Sequence, residues 1–91
     1  MLFDWDDNKA RVNLDKHGVS FDEAKSVFED PLFLIFADTD HSINERRFII
    51  IGESTKDRLL VVAYTERGDV TRLISARLAT TKERKAYESE L

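Results

Sequence analysis

The 91-residue chain is long enough for one domain with a single core, and its 42% hydrophobic and 35% charged residues exclude a disordered chain. It has no cysteine, which excludes disulfides and thiolate metal sites, and no apolar run long enough for a signal peptide or membrane span. Residues 1–45 carry 11 acidic and 4 basic side chains, whereas residues 46–91 carry 7 acidic and 10 basic ones. We therefore expect one cytoplasmic domain over residues 1–91, without membrane association, whose basic half permits local binding of an anion.

The first twenty residues predict a short strand and a helix. Leu2 to Trp5 alternates apolar and polar side chains, as a short edge strand does. Asp6 or Asp7 can cap a helix that runs to about Lys16. Gly18 then supplies the left-handed residue that ends such a helix.

The middle of the chain predicts a second helix and two strands. Ser20 and Glu23 fit a capping box, and the helix that they open ends before Pro31. The apolar runs at residues 32–37 and 47–52 are strand-sized and are separated by a polar loop.

The most apolar part of the chain predicts a hairpin followed by a last helix. Leu59–Thr65 and Val70–Ala76 are rich in aliphatic and β-branched residues, and Gly68 between them suits a tight turn. Thr80 and Glu83 fit another capping box. The order β-α-α-β-β-β-β-α predicts an α+β fold with a mainly antiparallel sheet and helices packed on one face.

The hairpin predicts where chemistry could occur. A turn at Arg67-Gly68 would pair Arg58 with Arg77, and two opposed arginines indicate an anion between them, or else side chains that reach water or carboxylates. Alternation would place Ser75 beside these arginines on an open face, with Leu60, Val62 and Tyr64. The face beneath the helices would carry Leu59, Val61, Ala63, Thr65, Val70, Ile74 and Ala76. Arg72 would lie there too, because Arg72 and Arg77 cannot share a face in a regular strand.

The residues Lys16-His17 close the first predicted helix. A histidine there can act as a general acid or base, and the lysine can bind phosphate. Alternatively, both cations complement the helix dipole.

The polar loop between the two predicted strands of the middle of the chain contains residue types that bind metal ions. Their spacing matches no recognised metal site, and we expect no metal and no cofactor. These ligand types are Asp38, Asp40, His41 and Glu45.

Nine of the fourteen basic residues, all from the second half of the chain, could gather on one surface. They are Arg46, Arg47, Arg58, Arg67, Arg72, Arg77, Lys82, Arg84 and Lys85. If four of them converge on an open sheet face, they would bind a nucleic-acid backbone and stabilise charge on a phosphoryl group. Otherwise, strand alternation disperses them to opposite faces or to solvent.

Several short blocks follow one another in order along nearly the whole chain, although none is a catalytic signature. They include Phe3-Asp4-Trp5-Asp6, Lys16-His17-Gly18-Val19-Ser20-Phe21, Phe28-Glu29-Asp30-Pro31, Glu45-Arg46-Arg47-Phe48, Tyr64-Thr65-Glu66-Arg67-Gly68-Asp69 and Arg72-Leu73-Ile74-Ser75-Ala76-Arg77. In their order and spacing they resemble the BrnT family of toxins.

This resemblance implies a type II toxin–antitoxin toxin with a RelE-like fold. Such a toxin would be an endoribonuclease that inhibits translation and is neutralised by a BrnA-type antitoxin. The antitoxin, a small DNA-binding protein, would form a hetero-oligomer with the toxin. The toxin would contact operator DNA only through this antitoxin. A non-catalytic partner that co-represses its operon, or a pure protein-interaction module, are the alternatives.

The expected mechanism is metal-independent RNA cleavage, in which the 2′-OH attacks the neighbouring phosphate. Arg77, with Arg58 or Arg84, would clamp the phosphate, and His17 or Glu66 would transfer protons. The residues expected to bind RNA are Lys16, Arg46, Arg47, Arg58, Ser75 and Lys82. The matched blocks contain Lys16, His17, Arg77 and Arg84, whereas Arg67 and Arg72 rank lower.

Overall fold

The computed structural model describes residues 1–41 and 45–90. Its elements are β1 (Leu2–Asp4), α1 (Asp7–His17), α2 (Phe21–Lys25), a 3-10 helix (Ser26–Glu29), β2 (Leu34–Ala37), a second 3-10 helix (Thr39–His41), β3 (Arg47–Glu53), β4 (Leu59–Arg67), β5 (Val70–Leu78) and α3 (Thr81–Glu88). The predicted α+β class and order of elements are confirmed.

Local capping signals define the helices as the sequence predicts. The Asp6 carboxylate accepts a hydrogen bond of 3.0 Å from the Lys9 amide at the start of α1, and Gly18 ends α1 with φ +68°. Thr80 opens α3 with a complete capping box. Ser20 caps α2 in the expected way, but Glu23 turns its carboxylate elsewhere and does not close the box.

The five strands form one sheet in the order β1-β5-β4-β3-β2. All neighbours pair antiparallel except β1, which pairs in parallel with β5 at the edge of the sheet. β1 is therefore an edge strand, as its alternation predicts. Its pairing joins the first residues of the chain to the start of β5, because Leu2 lies opposite Val70.

Helices cover both faces of the sheet. α1, α2 and the 3-10 helix after α2 cover the face of the larger core, which holds Val19, Phe21, Ala24, Val27, Ile50, Leu60, Val62, Tyr64, Leu73 and Ala76. Tyr87 of α3 packs on the opposite face against Ile51, Leu59 and Val61. The expectation of helices on one face holds for α1 and α2, whereas α3 packs on the other. The β4 face predicted to be open, with Leu60 and Val62, is the more deeply buried one.

The β4–β5 hairpin differs from its predicted register. Its loop is Gly68-Asp69, with Gly68 at φ +61°, so the turn begins one residue later than expected. A β-bulge farther along leaves Ile74 as an extra residue on β5. The pairs that define this register are Arg67 with Val70, Tyr64 with Leu73, and Ala63 with Ser75.

The bulge changes which side chains of β5 share a face. Arg72 lies opposite Thr65, and after the extra residue Arg77 lies opposite Val61. Since Thr65 and Val61 are four residues apart on a regular strand, Arg72 and Arg77 share a face. The prediction that they could not is wrong, because it assumed a strand without a bulge. The predicted pairing of Arg58 with Arg77 is also wrong, because the later turn and the bulge together shift the register and place Arg77 opposite Val61.

Candidate functional site

Arg58, the residue immediately before β4, has a structural role. It donates to the Glu23 carboxylate from Nε at 2.9 Å and also from Nη2, and it donates to the Gly18 carbonyl oxygen at 3.1 Å. Glu23 is buried, and its hydrogen bonds from Arg58 and Ser54 hold its pKa below the usual value. Arg58 therefore joins β4 to α2 on one face, whereas Arg77 lies on the other, and no anion site lies between them.

Arg77 lies on the α3 face of the sheet and is bound by Glu83. Its Nη1 and Nη2 atoms donate to the two Glu83 carboxylate oxygens at 2.7 and 2.8 Å. These bonds, opposed by partial burial, lower the pKa of Glu83 to about 2. The Arg77 side chain is still 40% exposed. Because a guanidinium has five N–H donors, the ion pair orients Arg77 and leaves donors for a ligand.

Other cations of β3 and β5 share this face. Arg47, Thr65 and Arg72 are direct cross-strand partners on β3, β4 and β5. Arg72 forms a salt bridge of 3.2 Å with Asp4 of β1. The structure thus brings Arg47, Arg72 and Arg77 to one side of the sheet, together with Ser75.

A groove lies between α1 and β5, and we call it the α1 groove. It has a volume of about 320 Å³ and is lined by Val12, Asn13, Lys16 and His17 of α1 and by Ile74 and Ser75 of β5. The structure therefore brings together three of the predicted site residues, Lys16, His17 and Ser75. Ser75 also joins the groove to the arginine-bearing face.

Asn13 fixes α1 against the open edge of β5. Its buried amide donates to the carbonyl oxygens of Ala76 at 2.8 Å and Val19 at 2.9 Å, and its oxygen accepts from the Ala76 amide at 3.0 Å. The sequence analysis missed this residue. A signal was present, because Asn13 lies three residues after Ala10 and four before His17, so that the three share one face of the helix.

The remaining predicted site residues lie elsewhere. Glu66 pairs with Thr71 near the hairpin turn, on the face opposite Ser75. The guanidinium carbon of Arg46 lies 5.3 Å from the centre of the Phe48 ring, also on that opposite face. Arg84 is exposed on α3, and Lys82 lines a second groove between α3 and the sheet. The structure does not bring these four to the α1 groove.

The polar loop after β2 contains the four residues with metal-ligand types. Within residues 1–41 and 45–90, no three metal-ligating side chains of His, Asp or Glu form a group that could hold an ion. Glu45 accepts hydrogen bonds of 3.0 and 3.1 Å from Arg67, and the side chain of His41 lies outside the described residues.

None of the helices in the described part has the length and apolar character to cross a membrane.

The fold and the site define a small α+β protein with a cationic sheet face beside a histidine-lined groove. Residues 5–83 match the family described as the ribonuclease toxin BrnT of type II toxin–antitoxin systems. The chain therefore belongs to the BrnT family of ribonuclease toxins.

Comparison with solved structures agrees with the fold. The crystal structure of the ribonuclease toxin BrnT from Brucella abortus matches with a TM-score of 0.67 and 22% sequence identity. The match covers 89% of this chain and 100% of the Brucella chain. No match is found among curated protein sequences.

Proposed function

We propose that this chain is an endoribonuclease that cleaves RNA at the junction of the α1 groove and the arginine-bearing sheet face. The bulge at Ile74 carries this proposal, because it turns Ser75 and Arg77 onto the face of Arg72 while Ser75 still lines the groove with Lys16 and His17. A phosphodiester at Ser75 would lie between guanidinium donors and an imidazole. Membership in a family of ribonuclease toxins supports this reading.

The proposed reaction uses the nucleophile of RNA itself. The His17 imidazole removes the 2′-OH proton, the 2′-oxygen attacks phosphorus, and the bond to the 5′-oxygen breaks. Water protonates the departing 5′-oxygen, and the products carry a 2′,3′-cyclic phosphate and a 5′-OH. Lys16 binds the phosphate, and Arg77 stabilises the charge that develops on its oxygens. Neither Arg58 nor Glu66 takes part, since each lies away from the groove.

The direct test is gel analysis of RNA incubated with purified protein in the presence of EDTA. We expect fragments with cyclic phosphate ends, and a rate lowered roughly 10²- to 10³-fold by Arg77→Ala, by analogy with single oxyanion donors. His17→Ala should lower the rate by about 10²-fold or more. Lys56→Ala, which removes an exposed cation of the β3–β4 turn, is the matched control and should cleave at the native rate.

Native cleavage by folded Arg77→Ala and His17→Ala proteins would contradict this assignment. An intact RNA band with the native protein would favour the non-catalytic alternative, a partner that co-represses its operon with a DNA-binding antitoxin.

We extend the proposal to the regulation of the toxin. A BrnA-type antitoxin neutralises the toxin in a hetero-oligomer and brings it to operator DNA, and the free toxin inhibits translation by cleaving RNA. Adding the purified product of the neighbouring gene should suppress both RNA cleavage and the inhibition of a cell-free translation reaction. Persistent cleavage in the presence of a bound partner would contradict neutralisation.

A further inference from the structure

A row of partly exposed side chains crosses the α3 face of the sheet. The row consists of Phe36, Ile49, Ala63 and Ser75, which are successive cross-strand partners on β2, β3, β4 and β5. We call it the open strip. With neighbouring strands about 4.8 Å apart, the open strip is roughly 14 Å long. α3 packs mainly on the next row, against Ile51 and Val61, and leaves the strip accessible.

Phe36 forms the outer end of the open strip and is 48% exposed. It lines a groove of about 460 Å³ between the sheet and α3, with Ile49, Lys82 and Ala86. The Phe36 ring is not what holds β2 in the sheet. β2 pairs with β3 through its backbone, and the Leu34 side chain of β2 packs into the α3-side core. The exposed ring therefore provides a flat apolar surface next to a cation.

Cations flank the open strip along both sides. Arg47 and Arg72 occupy the row on one side, and Arg77 and Lys82 lie on the other. Asp4 and Glu83 orient two of these arginines through salt bridges, but each guanidinium has more donors than one carboxylate accepts. An apolar strip with an exposed aromatic ring and flanking cations complements a polyanion whose bases are unstacked.

We propose that the open strip binds a short single-stranded segment of RNA, with one base stacked on Phe36 and a phosphate at Ser75 and Arg77. This inference rests on the proposed cleavage at Ser75 and adds a base-binding subsite at the other end of the open strip, roughly 14 Å away. Stacking on a phenylalanine favours unpaired RNA over duplex and tolerates different bases, because every base has an aromatic face.

The test measures binding separately from cleavage. The probe is a fluorescein-labelled single-stranded RNA oligonucleotide with 2′-O-methyl groups throughout, which lacks the attacking hydroxyl, and fluorescence anisotropy reports its dissociation constant. Phe36→Ala should weaken binding roughly 5- to 150-fold, the range seen when a stacking aromatic is removed. Phe36→Trp should bind as tightly as the native protein, whereas Phe36→Leu should resemble Phe36→Ala.

Phe33→Ala is the matched control, because Phe33 has a similar exposure of 41% and does not belong to the open strip. It should bind the probe with native affinity. The probe annealed to its complement should bind more weakly than the single strand and should not respond to Phe36→Ala.

Native affinity of Phe36→Ala or Phe36→Leu would overturn the inference while RNA cleavage by the native protein still stands. If Phe36→Ala instead loses only its complex with the antitoxin, the open strip is a protein-docking surface and the inference is wrong. If the native protein binds the probe through Phe36 but cleaves no RNA, the subsite stands and the proposed ribonuclease mechanism fails.

Discussion

Single side chains hold this fold together where elements meet, and Asn13 is the strongest case. Asn13→Ala removes three hydrogen bonds and leaves the Ala76 amide and two buried carbonyl oxygens without their partner. We expect a loss of about 2 to 4 kcal/mol in the free energy of unfolding, measured by urea denaturation. Asn8→Ala, at an exposed position of the same helix whose side chain accepts only a surface hydrogen bond from Arg11, should change stability by less than about 0.5 kcal/mol. Equal stability of the two variants would contradict the bridging role of Asn13.

Glu83 predicts how stability depends on pH. Its pKa falls from 4.5 to about 2 on folding, chiefly because Arg77 hydrogen-bonds the ionised carboxylate. The stabilisation is therefore complete above the unfolded pKa and is lost as pH falls from about 4.5 towards 2. Glu83→Gln should destabilise the protein near pH 6 and much less near pH 2.5, as measured by chemical denaturation at each pH. The same loss at both values would show that the ion pair does not cause the shift.

At the scale of elements, close packing between β3 and the 3-10 helix Ser26–Glu29 requires a glycine. A Cβ on Gly52 would lie 3.0 Å from the Val27 carbonyl oxygen and 3.2 Å from its Cβ. Gly52→Ala should therefore lower the free energy of unfolding by about 1 to 3 kcal/mol, because the strand and the helix must separate. Calorimetry would detect this as a lower Tm.

Gly68→Asn is the control for this substitution. Nothing lies within 4 Å of an added Cβ there, and asparagine tolerates the positive φ of +61°. A Tm as low as that of Gly52→Ala would indicate that replacing any glycine destabilises the chain.

Some features of the helices and strands could be predicted from the sequence alone, and others could not. Helix starts and stops depend on a few adjacent residues, so Asp6, Gly18 and Thr80 predicted them correctly. The bulge at Ile74 depends on the contacts that β5 makes with β1, α1 and β4, which are distant in sequence. No local sequence pattern indicates this bulge. The face of Arg77, and with it the composition of the site, therefore became visible only in the structure. Arg58 was misplaced because its partner, Glu23, is distant in sequence.

At the scale of the whole molecule, the uneven distribution of charge predicts how RNA binding responds to salt. The basic second half supplies the cations around the open strip, although the net charge of the chain is −4. If about four cations contact phosphates, the logarithm of the association constant should fall with the logarithm of salt concentration with a slope of about −3 for single strands. Arg77→Ala should make this slope shallower by about 0.7, whereas Lys56→Ala should leave it unchanged. A slope near zero in the native protein would contradict backbone binding.

The parallel pairing of β1 with β5 has a consequence for newly made chains. Leu2–Asp4 must wait for Val70–Arg72 before the edge strand can join, and the Asp4 carboxylate that orients Arg72 arrives by the same event. Such distant contacts form slowly, since a long loop must close first. A nascent chain on the ribosome thus cannot complete this edge of the sheet, or the salt bridge that orients Arg72, until the first strand of the hairpin and the start of β5 have both emerged.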